Sequence, residues 1–326
     1  MTDAAEDGTS SAAQVTVASP PFDNPDADLI IRTLDHVDFH VYKIILTHAS
    51  SVFADMAALP TAPDTDSRVV EVTESSVVWD CILRICYPTV LPAIVSDQLW
   101  PLLEAAKKYD MACVRNTVVK EMSTPRMLEQ ETLRVYMLAC SYGFNDVAAA
   151  AARVSLRQTP EARSSVPELR SATSAAYFNL LQYRQECVKA AISIAEDERF
   201  LRNHRWDGMV SEEVPDWIVR RSGPGPGVPE QHHHADCAQG TAYVTNYTSY
   251  RSTFDDYMAQ STERLKAHPH GDAVLDPVLI ATTAQAAALC SICRKDSDAS
   301  EISHFIKFHA AQIDAAIAKV VLVVES

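Results

Sequence analysis

Residues 27 to 56 read ADLIIRTLDHVDFHVYKIILTHASSVFADM, and the patterning of this stretch decides the fold of the N-terminal part of the chain. Leu29, Ile30 and Ile31 are aliphatic and prone to extended structure, which predicts a strand. Asp35 and His36 supply a polar turn. Val37, Phe39 and Val41 then alternate with Asp38, His40 and Tyr42, the period of a half-buried second strand. Lys43 to Thr47 carries Ile44, Ile45 and Leu46 and predicts a short buried helix. Ser50 is placed to cap a further helix, on which Val52, Phe53 and Met56 recur at helical spacing. A hairpin followed by a helical hairpin, without an obvious catalytic group, suits docking better than reaction.

The pattern continues outward. Arg68 to Val72 predicts a third strand, and the next segment a helix holding Val78, Ile82 and Ile85. Leu102 to Met111 resembles a pair of closing helices. Together these segments resemble the BTB/POZ domain, whose usual pattern is A-D-(V/L)-x-(L/I), then F-x-V-H-K-x-(I/L)-L, then S-x-x-F. The matching residues are Ala27, Asp28, Leu29, Phe39, Val41, Lys43, Ile45, Leu46, Ser50 and Phe53; Tyr42 departs, standing where the family usually has histidine. The chain also resembles BTB proteins expanded in mushroom-forming fungi, with which it shares the segment AAKKYDM (105–111) and a CSICR-like element (290–294).

The resemblance implies an N-terminal BTB/POZ domain of a short sheet with packed helices; helical spacing beyond it predicts an all-α middle region and a mainly helical C-terminal unit, so the expected fold class is α+β. The resemblance also implies a non-enzymatic protein–protein interaction module. One specific form is a substrate adaptor for a cullin-type ubiquitin ligase; the alternative is a transcription-associated or structural scaffold with no ligase contact. It points to Asp28, Lys43, Phe53 and Met56 as partner-binding residues. The plainer reading stays open for each. Asp28 caps the first strand, Lys43 starts a helix, and Phe53, Met56 and Leu59 belong to the core. Cullin-binding members carry an apolar-x-Glu motif after this helix, and the run from Ala57 to Asp64 contains no glutamate. Dimerising members place a helix before the first strand. Here Val15-Thr16-Val17 is followed by Ala18-Ser19-Pro20-Pro21, which cannot form one, so a monomer or a dimer of another kind is expected.

Composition narrows the classes. The 326 residues suffice for two or three cores, and 47% hydrophobic content is ordinary for a globular protein. A net charge of −15 disfavours a nucleic-acid groove or an anionic membrane surface as partner. No apolar run approaches the roughly 18 residues of a membrane span. The acidic start, MTDAAEDGTSS, lacks a signal pattern, so an intracellular protein, cytoplasmic or nuclear, is expected. Its 8 cysteines are then expected to be thiols or metal ligands. Phosphate-loop, dinucleotide and nucleophile-elbow motifs are missing, and no enzyme is expected.

Along the chain, residues 1–22 are expected to be a disordered acidic arm ending in Pro20-Pro21, and residues 23–122 the BTB/POZ-like domain. Residues 123–204 are expected to be a helical extension, with Gly143 as a helix C-cap and a long helix from about Ala175 to Leu201. Residues 205–326 are expected to be a separate helical unit, with helices near Tyr247–Lys266, Pro277–Cys290 and Ser300–Val321. The apolar end, Val320 to Val324, is expected to be buried or to pair with a partner.

One set of residues could hold a metal. Cys290 and Cys293 form a C-x-x-C, and His234 and Cys237 form an H-x-x-C in a Pro/Gly-flanked loop. Three cysteines and a histidine are a structural zinc set, with His232 or His233 able to replace His234. The alternative is a pair of buried thiols beside a solvated histidine triplet. If zinc is held, Cys293→Ser removes a ligand. Residues 205–326 then lose stability, zinc falls below one equivalent by metal analysis, and the BTB-like part stays folded.

Overall fold

The computed structural model describes residues 15–59, 68–159, 166–170, 173–196, 219–221, 239–244, 248–289 and 299–324. The chain divides into two compact units, residues 1–131 and 132–326.

The first unit is α+β. Its strands are β1 (Thr16–Val17), β2 (Leu29–Arg32), β3 (Val37–Val41) and β4 (Val69–Glu71). They form one sheet in the order β1-β3-β2-β4, with β2 antiparallel to β3, and β1 and β4 joined parallel at the two edges. Helices α1 (Lys43–Ala49), α2 (Ser51–Ala58), α3 (Ser76–Cys86), α4 (Leu99–Lys108), α5 (Ala112–Met122) and α6 (Pro125–Gln130) complete it.

The alternation in β2 holds, with Leu29 and Ile31 buried and Ile30 and Arg32 half-buried. In β3 it breaks at Asp38, which is buried although its sequence parity assigns it to the polar face. The reason lies in the register. Arg32 stands directly opposite Asp38, and its Nε and Nη2 each donate to the carboxylate at 2.8 Å. A two-point guanidinium–carboxylate pair satisfies a charge that could not otherwise leave water. The turn between the strands closes with His36 at φ 58°, in the left-handed region, and Thr33 and Val37 bonded across it.

Two expectations are corrected in this unit. The N-terminal arm does not extend to residue 22: Thr16 and Val17 pair with β3, Ala18 is buried, and Phe22 is fully buried against the rings of Phe39 and Tyr87. Small and proline-rich residues around one aromatic anchor read as unstructured, but that anchor is enough to tie the segment down. Helix α1 is not a buried helix either. Only Leu46 is buried, while Ile44 is 61% exposed.

The second unit is mainly helical. Helices α7 (Thr132–Ser141) and α8 (Asn145–Ser155) form a hairpin whose corner is Gly143, at φ 72°. The Phe144 N–H donates to the Ala139 carbonyl at 2.8 Å, the bond pattern that a left-handed glycine permits at a helix end. Helix α9 (Ser174–Glu196) is followed by a small antiparallel sheet of β5 (Val219–Arg221), β6 (Gln239–Val244) and β7 (Thr248–Arg251), in the order β5-β7-β6. Helices α10 (Ser252–Ala267), α11 (Pro277–Leu289) and α12 (Ala299–Ile317) follow. The helix expected from Tyr247 therefore begins five residues later, because the β-prone run before it joins the sheet.

Helix α9 packs on both α10 and α12, so the expected helical extension and the expected C-terminal unit share one core. Phe254, Tyr257, Leu279, Ala287, Ile302, Phe305 and Ile306 form its buried centre on α10, α11 and α12, and Ile194 of α9 packs against it. Gly271 sits against α12, where its N–H donates to Asp314 at 2.7 Å and an added Cβ would lie 2.5 Å from the Ala310 carbonyl. Of the two expectations for the apolar end, burial within the chain is not met. Val321 is 82% and Val323 58% exposed, beyond the last turn of α12.

Candidate protein-docking site

The proposed partner-binding residues lie on α1, on α2 and at the aspartate that caps α1, and aspartate and serine contacts fix these two helices. The Asp28 carboxylate accepts from the Lys43 backbone N–H at 2.7 Å, so it satisfies the open N-terminus of α1 rather than the strand. Tyr42, in the usual histidine position, makes no side-chain cap for α1. Its phenol oxygen accepts from Asn24 Nδ2 at 2.8 Å, and its N–H donates to the Tyr87 hydroxyl at 2.7 Å. Ser50 caps α2 by accepting from the Phe53 N–H at 3.1 Å, as its sequence position predicts. The same hydroxyl donates to the Tyr109 carbonyl, and Ser51 donates to Asp110 at 2.6 Å. These bonds tie the start of α2 to the α4–α5 corner, where Asp110 takes a φ of 49°.

The four sequence candidates then separate. Asp28 and Lys43 are exposed at the start of α1. Phe53 is 4% exposed, with its ring 6.0 Å from Trp79 and 5.4 Å from Tyr109, so it is a core residue that no partner reaches. Met56 is 42% and Leu59 69% exposed, so the core reading of these two is corrected. One turn of helix turns Phe53 inward and Met56 outward, which spacing alone does not distinguish. The site accordingly presents Ile44 on α1 with Met56 and Leu59 at the end of α2 as large apolar side chains in water.

Beneath the corner lies a polar hub that local patterning does not reveal. Glu74, whose side chain is 14% exposed, accepts from Lys108 Nζ at 2.9 Å, from the Tyr109 hydroxyl at 2.8 Å and from Trp79 Nε1 at 3.3 Å. Burial pushes its pKa up, but the Lys108 and Tyr109 hydrogen bonds outweigh that and hold it below the usual value. Tyr109 is pushed well up, by burial first and then by the Glu74 carboxylate. The hub keeps one charge and one phenol in fixed states and holds the three rings behind α2. The AAKKYDM segment (105–111) contains both Lys108 and Tyr109, the signal by which the hub could have been sought.

Asp35 performs a second distant capping role. From the β2–β3 turn it accepts from the Ser76 N–H at 2.8 Å and the Ser76 hydroxyl at 2.6 Å, at the start of α3. Burial pushes its pKa up, but the hydrogen bonds from Ser76 and Thr33 together outweigh that and hold it below the usual value.

His234, Cys237, Cys290 and Cys293 lie outside the described residues. Among the described residues, no group of three His, Cys, Asp or Glu side chains is placed to hold a metal. Cys140 and Cys187 are buried within helices, and burial raises both thiols, that of Cys187 to about 11. No described helix is long and apolar enough to cross a membrane.

The strand order, the distant aspartate caps and the exposed α1–α2 corner describe a scaffold that displays a surface. A comparison with curated proteins finds none that matches the chain. Residues 22–125 match the family model of the BTB/POZ domain, a protein–protein interaction module, and this is the domain that the N-terminal unit contains.

Proposed function

We propose that this protein is a non-enzymatic adaptor whose BTB/POZ domain binds a cullin-type ubiquitin-ligase scaffold while residues 132–326 select a client. The observation that carries the reading is the exposure of Met56 and Leu59, at 42% and 69%, at the end of a helix whose start is held by Ser50 and whose inner face is held by Phe53. Two large apolar side chains displayed on a fixed helix are the kind of anchor that a partner pocket buries. The run from Ala57 to Asp64 lacks the glutamate of cullin-binding relatives, which favours a second reading, a scaffold that uses the same corner without a ligase.

Co-purification of the tagged full chain with a cullin decides between the two. On the adaptor reading, the double substitution Met56→Asp and Leu59→Asp abolishes retention of the cullin. It leaves the thermal midpoint within a degree or two, since exposed positions contribute little to folding. Absence of a cullin from the unsubstituted chain's partners leaves the scaffold reading standing.

A further inference from the structure

We propose that Cys86 and Cys113 form a peroxide-responsive dithiol that closes to a disulfide between α3 and α5. Cys86 is the last residue of α3 and Cys113 the second residue of α5, two helices packed against each other. Their sulfurs lie 3.9 Å apart, across 27 residues of sequence. A disulfide needs a separation of about 2.05 Å, so each sulfur has to move by roughly 1 Å, within the range of a modest side-chain rotation. Both residues are partly open to solvent, whereas Cys81, Cys140 and Cys187 are buried. An oxidant therefore reaches this pair ahead of the other described thiols.

The two sulfurs have different roles. Cys113 stands in the first turn of α5 and is the sulfur that meets the oxidant. Cys86 is pushed up to about 12, by burial first and then by Cys113, and so stays a thiol. Hydrogen peroxide, the oxidant, is attacked by the Cys113 thiolate. The O–O bond breaks, two electrons pass from sulfur to oxygen, and the displaced hydroxide takes a proton to become water. The product is a sulfenic acid on Cys113. The Cys86 sulfur then attacks the Cys113 sulfur, the S–O bond breaks, and the hydroxyl leaves with the Cys86 proton as a second water. Two thiols and one peroxide give one disulfide and two waters. The bond fastens the end of α3 to the start of α5, and dithiothreitol reverses it.

Peptide mass mapping of the full chain tests this after brief treatment with hydrogen peroxide, alkylation and digestion without reductant. The expected result is a peptide linking Cys86 to Cys113, lighter by two hydrogens, that forms before Cys81, Cys140 or Cys187 is modified and disappears on reduction. Cys86→Ser should leave a sulfenic acid on Cys113 that a 1,3-dione probe traps, and Cys113→Ser should give neither link nor adduct. Recovery of Cys86 and Cys113 as separately alkylated thiols, or their over-oxidation without a link, would overturn the proposal. The mapping of the unsubstituted chain decides this even if a variant fails to fold.

Discussion

Trp79→Ala is expected to lower the stability of the N-terminal unit by about 3–5 kcal/mol, the usual cost of removing a large buried aromatic. Trp79 is fully buried, edge-on to Phe53 at 6.0 Å and to Tyr109 at 5.4 Å. The indole lies at the junction of three elements. It belongs to α3, packs on the ring that α2 turns inward, and touches the residue that ends α4. Its Nε1–H also donates to Glu74, so truncation leaves both a cavity and a weakened hub. Trp79→Phe separates the two effects. It keeps most of the ring packing and loses the donor, and about 1.5–3 kcal/mol is expected, chiefly from the hydrogen bond to a charged group. Denaturant unfolding of the full chain, followed by far-ultraviolet circular dichroism, measures both variants. A loss below about 1 kcal/mol for the alanine variant would contradict the packing described, since even partial collapse of such a cavity costs more. Because α2 rests on this cluster, the same variant should also weaken any partner that Met56 and Leu59 hold.

What the sequence made legible was local. The β2–β3 hairpin follows from alternation, and the cap at Ser50 from its position before an apolar helix. The corner at Gly143 follows from a glycine after a helical run. Features that depend on residues far apart in sequence were hidden. Asp38 is buried because Arg32 faces it across the sheet, a consequence of register that neither strand announces alone. Asp28 and Asp35 cap helices 15 and 41 residues away, so neither reads as a cap. Glu74 meets Lys108 and Tyr109 only after α3 and α4 have folded back on it. Apolar content misled where exposure was decided by packing. Ile44, Met56, Leu59 and Val321 face water, although each stands in a run that reads as core. Within the docking site, the motif positions Asp28 and Lys43 could be located from the sequence. The division of α2 into an inward Phe53 and an outward Met56 could not, because both lie on one helical turn and only the neighbouring α3 fixes which faces the core.

The second unit should lose stability on mild acidification, and His309 should be the main cause. Its imidazole is fully buried on α12, stacked on Phe305 at 5.9 Å, with Nδ1 2.9 Å from the Tyr257 hydroxyl. Burial lowers its pKa to about 4, against 6.5 in an unfolded chain. Between those values the unfolded chain takes up a proton that the folded unit refuses, so stability is complete above 6.5 and falls as pH drops toward 4. A difference of this size corresponds to roughly 3 kcal/mol across the window. His270, lowered by burial first and then by Arg157, acts in the same direction. The lowered carboxylates Asp35, Glu74 and Asp276 lose their contributions further down, as pH falls past the ordinary carboxylate range toward their lower folded values. The histidine effect is therefore read above pH 4.5, before the carboxylates contribute. Denaturant midpoints of the full chain at pH 7.5 and pH 4.5 should differ clearly for the transition of residues 132–326. His309→Gln keeps a hydrogen-bonding group near Tyr257 but cannot take up the proton, so it should flatten most of that dependence even if it costs stability at pH 7.5. An unchanged pH slope in this variant would assign the acid sensitivity to His270 instead.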